Sequence, residues 1–228
     1  MIYGSGLVAT AMAARFPSPE IVIYAAGVSN SGCTDPTEFL RERERLLRAL
    51  EAHVQADRLI YFSTCSISDD AAHDSMYVRH KLAMESIIRR HARHVIIRLP
   101  QVAGRTPNPH TLLNFLHARI ARSEKFEIWA FSTRNILDID DIALLVSYLV
   151  LNEGAVGETI NVANPISTPI GEIVAEMEKI VGKRAVFETR TCGSGYLIDC
   201  ARIQSTIRHS GVDLQGNYLE RVLKKYYG

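Results

Sequence analysis

The chain has 228 residues, and its 26 Lys and Arg side chains nearly cancel its 25 Asp and Glu side chains. This balance excludes the strong electrostatic field that gathers nucleic acid or a membrane surface, so we expect a small-molecule partner or a second copy of the chain. Four cysteines without Cys-x-x-Cys spacing are too sparse for a disulfide scaffold and predict free thiols in a reducing cytoplasm.

The length suits one large folding unit with an ample core. No apolar run reaches the length of a membrane span, and the first residues lack the pattern of an export signal. We therefore expect a soluble protein that is not exported.

The first element is the segment MIYGSGLVATAMAARF, a strand that runs into Gly4-x-Gly6-x-x-Ala9 and then a helix. Glycines at these positions let the backbone turn tightly and approach a pyrophosphate, whose charge the amide groups at the helix start favour. A tight turn that binds nothing explains the same pattern. The acidic residue that follows a dinucleotide loop about 20 positions later is absent, because Ala26 stands there.

Short apolar runs then alternate with helical patterns. The runs are EIVIYAAG, RLIYFSTCS, HVIIRLPQV and ETINVANP, and such runs indicate a parallel sheet covered on both faces. The predicted class is α/β, doubly wound. Asp35 as N-cap, Pro36 as first helical residue and Glu38 predict that a helix begins there and continues through FLRERERLLRALEAHV. We interpret its Arg/Glu run as a solvated face.

Two elements further along carry groups suited to proton transfer. Ser63, Thr64 and Ser66 follow a strand where a parallel sheet delivers side chains to a ligand crevice; they are candidates to hydrogen-bond a carbonyl oxygen, or they cap the strand end. On the next helix Tyr77 and Lys81 lie one turn apart on one face, a spacing that ordinary exposed helices also produce. A free phenol titrates near pH 10, so we expect the lysine charge to favour the phenolate.

Together, and in this order, these elements resemble the extended branch of the short-chain dehydrogenase/reductase family, the NAD-dependent epimerase/dehydratase group that acts mostly on nucleotide sugars. IVIYAAGVSNS resembles the family's Ala-Ala strand end, YFSTCSIS its Ser/Thr strand and YVRHK its Tyr/Lys helix. The later segments RLPQVAGRTPNP, RNILDIDDIA and GETINVANPISTPIGEIV are also similar, so the resemblance covers nearly the whole chain.

The resemblance implies a Rossmann-like fold and a role for each matching residue. Thr64, Tyr77 and Lys81 would be catalytic, with Tyr77 exchanging a proton with a substrate oxygen that Thr64 orients. The residues implied to bind the cofactor, NAD or NADP, are Gly4, Ser5, Gly6, Leu7, Ala25, Ala26, Gly27, Tyr77, Lys81, Pro100 and Val102.

Candidates for the substrate follow from position and from charge. Ser29 and Asn30 lie just after a strand end that faces the crevice. Guanidinium forks suit phosphate oxygens, so a diphosphate has further candidates in Arg105, Asn108, Asn114 and Arg134. Thr64 completes this set.

The sequence departs from the family pattern at one large gap. A strand, a helix and a further strand between the glycine loop and the Ala-Ala strand are missing, and the acid that holds the adenosine ribose is lost with them. Either the cofactor is retained, with adenosine bound loosely or by a neighbouring subunit, or the fold is reused without it. We favour retention because the glycines, Thr64, Tyr77 and Lys81 persist together. The chain is predicted as one truncated unit, with a dinucleotide-binding core mainly in 1–104 and a core strand plus a small substrate lobe in 105–228.

The residues after Thr64 limit which type of reaction we expect. The family's dehydratases carry an Asp-Glu pair there, whereas this chain has Cys65 and Ser66, so dehydration is disfavoured. We predict NAD(P)-dependent keto/alcohol chemistry on a nucleotide-linked sugar, either reduction or epimerisation. The alternatives are a catalytically silent binding or regulatory protein that reuses the fold, and a structural subunit that pairs with a full-length relative.

Three further expectations concern partners and ligands. We predict a homodimer formed through helices near 36–56 and 77–91, as is common in the family. No metal is predicted, because the family pattern assigns capping and buttressing to the acidic residues of RNILDIDDIA. We place Phe126, Trp129 and Phe131 in the core or at an interface.

Overall fold

The computed structural model describes residues 1–193 and 195–228. Its strands are β1 (Ile2–Tyr3), β2 (Ile21–Tyr24), β3 (Arg58–Thr64), β4 (His94–Leu99), β5 (Gln101–Ala103), β6 (Phe126–Trp129), β7 (Thr133–Arg134), β8 (Ile136–Asp138), β9 (Glu158–Asn161), β10 (Thr168–Pro169) and β11 (Phe187–Arg190). Its α-helices are α1 (Leu7–Ala13), α2 (Pro36–Ala52), α3 (Met76–Ile88), α4 (Leu112–Ala121), α5 (Ile139–Leu151), α6 (Ile170–Val181), α7 (Gln204–Ser210) and α8 (Tyr218–Tyr227).

The main sheet is parallel throughout and has the order β1–β2–β3–β4–β9. Alternate side chains of its strands enter two cores. Against α2 and α3 lie Val22, Tyr24, Leu59, Tyr61 and Ile96. The opposite core, which includes side chains of α1, α4 and α5, receives Ile21, Ile23, Ile60, Phe62 and Ile97. The predicted doubly wound α/β class is confirmed.

The strand order agrees with the deletion inferred from the sequence. A complete doubly wound sheet has the order 3-2-1-4-5-6, so removal of its second and third strands leaves the first strand at an edge. In this chain β1 is that edge strand. Three tyrosines in register join it to the centre of the sheet, since the rings of Tyr3 and Tyr24 lie 6.1 Å apart and those of Tyr24 and Tyr61 lie 6.0 Å apart.

The deletion also leaves an unusual crossover. Helices α1 and α2 pack on opposite faces, although β1, β2 and β3 follow one another in one direction across the sheet. Two such crossovers must have opposite hands, whereas about 98% of parallel crossovers are right-handed. In a complete fold the strand after α1 pairs on the other side of β1. Without that strand, α1 stays on the same face of the sheet while the chain turns back to β2, which reverses the handedness of the β1–α1–β2 crossover.

The C-terminal part of the chain completes the main sheet and adds three small ones. β9 belongs to the main sheet, while β5 pairs with β8, β6 with β11 and β7 with β10. The division at residue 104 stays a prediction. Within the ranges that the structure describes, no helix has the length and apolar character needed to cross a membrane.

The helix starts follow the sequence signals closely. The Asp35 carboxylate accepts a hydrogen bond from the Thr37 amide at 2.8 Å, and Pro36 opens α2 as predicted. Asp138 caps α5 and also accepts bonds from Lys225 and Tyr226, each at 2.7 Å, which anchor α8. Among the described residues no group of three or more His, Cys, Asp or Glu side chains is arranged to hold a metal ion.

The two glycines of the first turn differ in what they require. Gly4 has φ +124°, and a Cβ added to it would lie 2.4 Å from the carbonyl oxygen of Ala25, whereas Gly6 has φ −82° and no atom within 4 Å of an added Cβ. We expect Gly4→Ala to lower the free energy of unfolding by at least about 2 kcal/mol. Gly6→Ala, the matched control, should lower it by under about 1 kcal/mol. Urea unfolding of both variants measures the difference, and equal losses would contradict the close approach of β1 to β2.

Candidate active site

A cleft of about 450 Å³ opens at the carboxyl ends of the central parallel strands. It is lined by the turn after β1, the segments at the ends of β2, β3 and β4, and helix α3. The predicted site residues that line it are Gly4, Ser5, Gly6, Leu7, Ala25, Ala26, Gly27, Ser29, Ser63, Thr64, Ser66, Tyr77, Lys81, Pro100, Val102 and Asn108. Every residue expected to contact the cofactor or to act in catalysis therefore lies in one cleft.

Tyr77 and Thr64 face each other across the end of β3. Tyr77 is 7% exposed, and burial raises the pKa of its phenol well above the ordinary value. The hydrogen bond with the Thr64 hydroxyl lowers this pKa in part, and the negative charge of Glu42 raises it further. The pKa of this phenol is raised although the Lys81 ammonium lies 5.9 Å from the centre of the Tyr77 ring, and a buried anion lies beside that ammonium. The acidifying effect expected of Lys81 therefore does not decide the pKa of Tyr77.

That anion is Glu42, which α2 carries into the protein. Glu42 is 2% exposed, and its partner Lys81, a residue of α3, is 3% exposed. The Lys81 ammonium donates to Glu42 Oε1 at 3.0 Å and to the Tyr61 hydroxyl at 3.2 Å. The same carboxylate accepts from Tyr61 at 2.7 Å, from the Val28 amide at 2.7 Å and from His80 Nε2 at 2.9 Å.

These contacts satisfy the carboxylate fully. Because an ionised carboxylate only accepts hydrogen bonds, His80 carries its proton on Nε2. Burial alone would raise the pKa of Glu42, but the hydrogen bond from His80, the charge of Lys81 and the bonds from Val28 and Tyr61 together lower it to about 2. Glu42 is therefore an anion at neutral pH.

Glu42 was not predicted as a site residue, because the whole Arg/Glu run of α2 was interpreted as a solvated face. Glu42, Leu46 and Ala49 are the buried residues of α2, and their spacing of four and three is that of a single helix face. The signal was present in that spacing, since one acidic residue shared a face with two apolar ones. Gly27 leaves room for the pair, because a Cβ there would lie 2.6 Å from the Lys81 ammonium and 2.8 Å from Glu42 Oε1.

Four predicted substrate residues lie outside the lining of this cleft: Asn30, Arg105, Asn114 and Arg134. The Asn30 side chain accepts from the Gly32 amide at 2.9 Å, and Arg105 is exposed near the end of α8. Both amide hydrogens of Asn114 are donated to the carbonyls of Thr106 and Asn108, at 2.9 and 2.8 Å. Asn114 thus shapes the loop before α4 and has no amide hydrogen left for a ligand.

Arg134 lines a second, smaller cavity of about 150 Å³ beside α4 and β6, together with Trp129. Phe126 is buried as expected, but Trp129 is 48% and Phe131 63% exposed, so these two lie outside the core. Tyr196 interacts with residues of both, Ser66 of the main cleft and Arg134 of the cavity. Burial raises the pKa of its phenol, while a hydrogen bond with Ser66, a cleft residue, and the charge of Arg134 lower it.

Comparisons with known proteins agree with this geometry. A sequence model of the NAD dependent epimerase/dehydratase family matches residues 5–163. No curated protein matches the chain in sequence. Among solved structures, RMD from Pseudomonas aeruginosa in complex with NADPH superposes with a TM-score of 0.71 at 19% identity, over 97% of this chain and 84% of its own.

Two epimerases from Bacillus cereus have similar structures. UDP-glucuronic acid 4-epimerase in complex with NAD has a TM-score of 0.72 at 22% identity, over 91% of this chain and 73% of its own. UDP-N-acetylglucosamine 4-epimerase has a TM-score of 0.71 at 17% identity, over 96% of this chain and 79% of its own. At these identities the likenesses establish the fold.

Glu42 gives a test of the buried pair by stability. Glu42→Gln leaves the Lys81 ammonium buried without its anion, and we expect the free energy of unfolding at pH 7 to fall by about 3–5 kcal/mol. Because the folded-state pKa of Glu42 is below its ordinary value of 4.5, its stabilisation is complete above that pH and is lost as the pH falls toward about 2. The difference in free energy of unfolding between parent and variant should therefore become smaller as the pH falls from 4.5 toward about 2.

Urea unfolding of the two proteins between pH 2 and 7 measures this. Glu44→Gln is the matched control, since Glu44 is an exposed residue of the same helix, and it should change stability by under about 0.5 kcal/mol. A loss for Glu42→Gln that does not vary with pH would contradict the ion pair.

Proposed function

The chain belongs to the NAD dependent epimerase/dehydratase family, and from this premise we propose that it is an NAD(P)-dependent reductase or epimerase of a nucleotide-linked sugar. The observation that carries the proposal is the convergence of the glycine turn, Thr64, Tyr77 and Lys81 on one cleft. The family model ends at residue 163, so the substrate end of the site rests on this chain's own geometry.

The residues present fit a nicotinamide dinucleotide. An added Cβ at Gly6 points into open space, so backbone there is accessible to a pyrophosphate. Ala25, Ala26 and Gly27 offer no side chain that would fill the space beside a ribose. Solved proteins of the same fold are complexes with NADPH or with NAD, which supports the proposal without choosing between the two.

When bound, the nicotinamide ring would exchange a hydride with a sugar carbon. The chain's own residues would bind the ribose, position the sugar and transfer the proton. Lys81 has three ammonium hydrogens, and its contact with Glu42 Oε2 is long at 3.4 Å, so the hydrogen nearest that oxygen would turn to a ribose hydroxyl while the bonds to Glu42 Oε1 and Tyr61 stay. Thr64 positions the sugar oxygen, and the Tyr77 hydroxyl exchanges a proton with it.

The rest of the substrate would extend from Thr64 past Ser66 and Tyr196 toward Arg134. This direction is supported by the hydrogen bond between Ser66 and Tyr196 and by the action of the Arg134 charge on that phenol. A diphosphate near Arg134 would meet a guanidinium, and the exposed ring of Trp129 lines the same cavity. We also propose a homodimer that forms through α2 and α3, and a cytoplasmic location. The four cysteines are free thiols in the described part of the chain, which supports the proposed location.

A silent binding or regulatory protein is the second candidate, and the missing strand pair favours it. Loss of the adenosine-binding acid is expected to weaken the cofactor's affinity, which a sensor tolerates better than an enzyme does. Both candidates need the cleft, but only the enzyme needs the Tyr77 proton.

Cofactor binding is tested by calorimetric titration with NAD, NADH, NADP and NADPH. We expect at least one of them to bind the parent and Gly6→Asp to abolish that binding, because the carboxylate would project into the cleft and repel the pyrophosphate. Gly171→Asp, in the first turn of α6, outside the cleft and with open space around its Cβ, is the matched control. Absence of binding to the parent would overturn the proposal.

Turnover is tested with Tyr77→Phe. The variant keeps the ring but lacks the acidic proton, so we expect cofactor affinity to stay within about threefold while turnover of a panel of keto sugar nucleotides falls by about 10²–10⁴. Steady-state kinetics beside the calorimetric titration separates the two effects. A parent that binds the cofactor but turns over none of the panel, with a variant of unchanged affinity, would favour the binding protein.

A further inference from the structure

The Lys81 ammonium is directed into the protein as well as toward the cleft. Glu42 receives it at 3.0 Å through Oε1 and at 3.4 Å through Oε2, and Tyr61 receives it at 3.2 Å. Since both charges are at most 3% exposed, water screens neither of them, and the pair acts on its surroundings as a nearly neutral unit. Tyr77 therefore faces a compensated cation.

The other groups around Tyr77 do not replace that charge. The titratable groups that face it or share its cleft are Glu42 and Arg45 from α2, Tyr61 from β3, His80 and Lys81 from α3, and His110 from the loop before α4. His80 is bound to Glu42 and stacks on Phe39 with ring centres 4.6 Å apart. Arg45 is exposed to solvent, which weakens its effect on a buried phenol.

We propose that Glu42 is a positioning residue that fixes Lys81 and keeps Tyr77 a neutral phenol at neutral pH, so that the site is suited to donating a proton to a keto sugar. This inference rests on the proposed function and favours its reductase form. An epimerase or an alcohol oxidase must begin with a phenolate that accepts a proton, and the anion of Glu42 disfavours that form.

The carbonyl carbon of the sugar would gain a hydride, which a bound reduced nicotinamide would supply and thereby be oxidised, and the carbonyl oxygen would gain the hydroxyl proton of Tyr77. The ketone becomes an alcohol and Tyr77 becomes a phenolate, which water reprotonates. A sugar alkoxide is a stronger base than a tyrosine phenolate, so the proton still transfers from a phenol of low acidity.

The test is a titration of the Tyr77 phenol in the protein without cofactor. The tyrosinate absorbance of the parent minus that of Tyr77→Phe, followed from pH 7 upward with circular dichroism as a check of folding, isolates this side chain. We expect no phenolate from Tyr77 below about pH 10, the value of a free phenol. A midpoint at or below about pH 8 would overturn the proposal.

Variants at the pair identify the cause. Glu42→Gln leaves the cation uncompensated and should lower the Tyr77 midpoint by about one to two pH units, while the exposed Glu44→Gln should leave it unchanged. If Glu42→Gln does not fold, the double variant Glu42→Gln with Lys81→Met removes both buried charges and should move the midpoint by under about half a pH unit. A rise of one unit or more in the double variant would show that Lys81 acts uncompensated and would overturn the proposal.

This titration uses neither substrate nor cofactor. Its outcome is therefore independent of the calorimetric test, and failure of one leaves the other readable.

Discussion

The carboxylate of Glu42 is the contact on which the site depends. It joins α2 to β3 through Tyr61, to α3 through His80 and Lys81, and to the segment after β2 through the Val28 amide. A buried carboxylate is costly unless paired and hydrogen-bonded, and here each oxygen has partners. The same contact that holds these elements together also fixes the charge beside the proposed acid, Tyr77. Packing and proposed chemistry therefore depend on one side chain. This explains the glycine at position 27, because any larger residue there would displace the Glu42–Lys81 pair.

The loss of a strand, a helix and a strand changes the other end of the cleft. β1 becomes an edge strand, and α1 crosses to β2 with the hand opposite to that of α2. Gly4 makes this close approach possible, because only a residue without Cβ fits against Ala25 at φ +124°. The nicotinamide half of the cleft is built from β3, α3 and the segment after β4, none of which the deletion removes. In the half proposed for adenosine, the acidic residue of the family pattern is missing together with its strand. The fold thus keeps the segments proposed for the chemistry and lacks one of those that would hold the cofactor.

Much of this was readable from sequence, and the limits are specific. The strands and the start of α2 at Asp35 follow from local patterns, which depend on short-range geometry, and the convergence of the glycine turn with Thr64, Tyr77 and Lys81 follows from the family resemblance. The raised pKa of Tyr77 could not be predicted in this way. It depends first on burial and also on Glu42, which is 35 positions earlier in the chain and is brought close only by the packing of α2 on α3. Arg134 and Asn114 show the same limit. Their residue types suggested a diphosphate, but both amide hydrogens of Asn114 are donated within the loop before α4, and Arg134 lines a separate cavity.

The central claim is that the shortened fold retains a nicotinamide site whose reactive end is formed by Tyr77 and Lys81. A crystal structure of the protein grown with a reduced nicotinamide dinucleotide tests it most directly. We expect the pyrophosphate to lie against the backbone of Gly4 to Leu7. A ribose hydroxyl should lie within hydrogen-bond distance of both Tyr77 and Lys81, while Glu42 stays on the far side of the ammonium. A dinucleotide bound elsewhere, or a cleft that remains empty at saturating concentration, would contradict it.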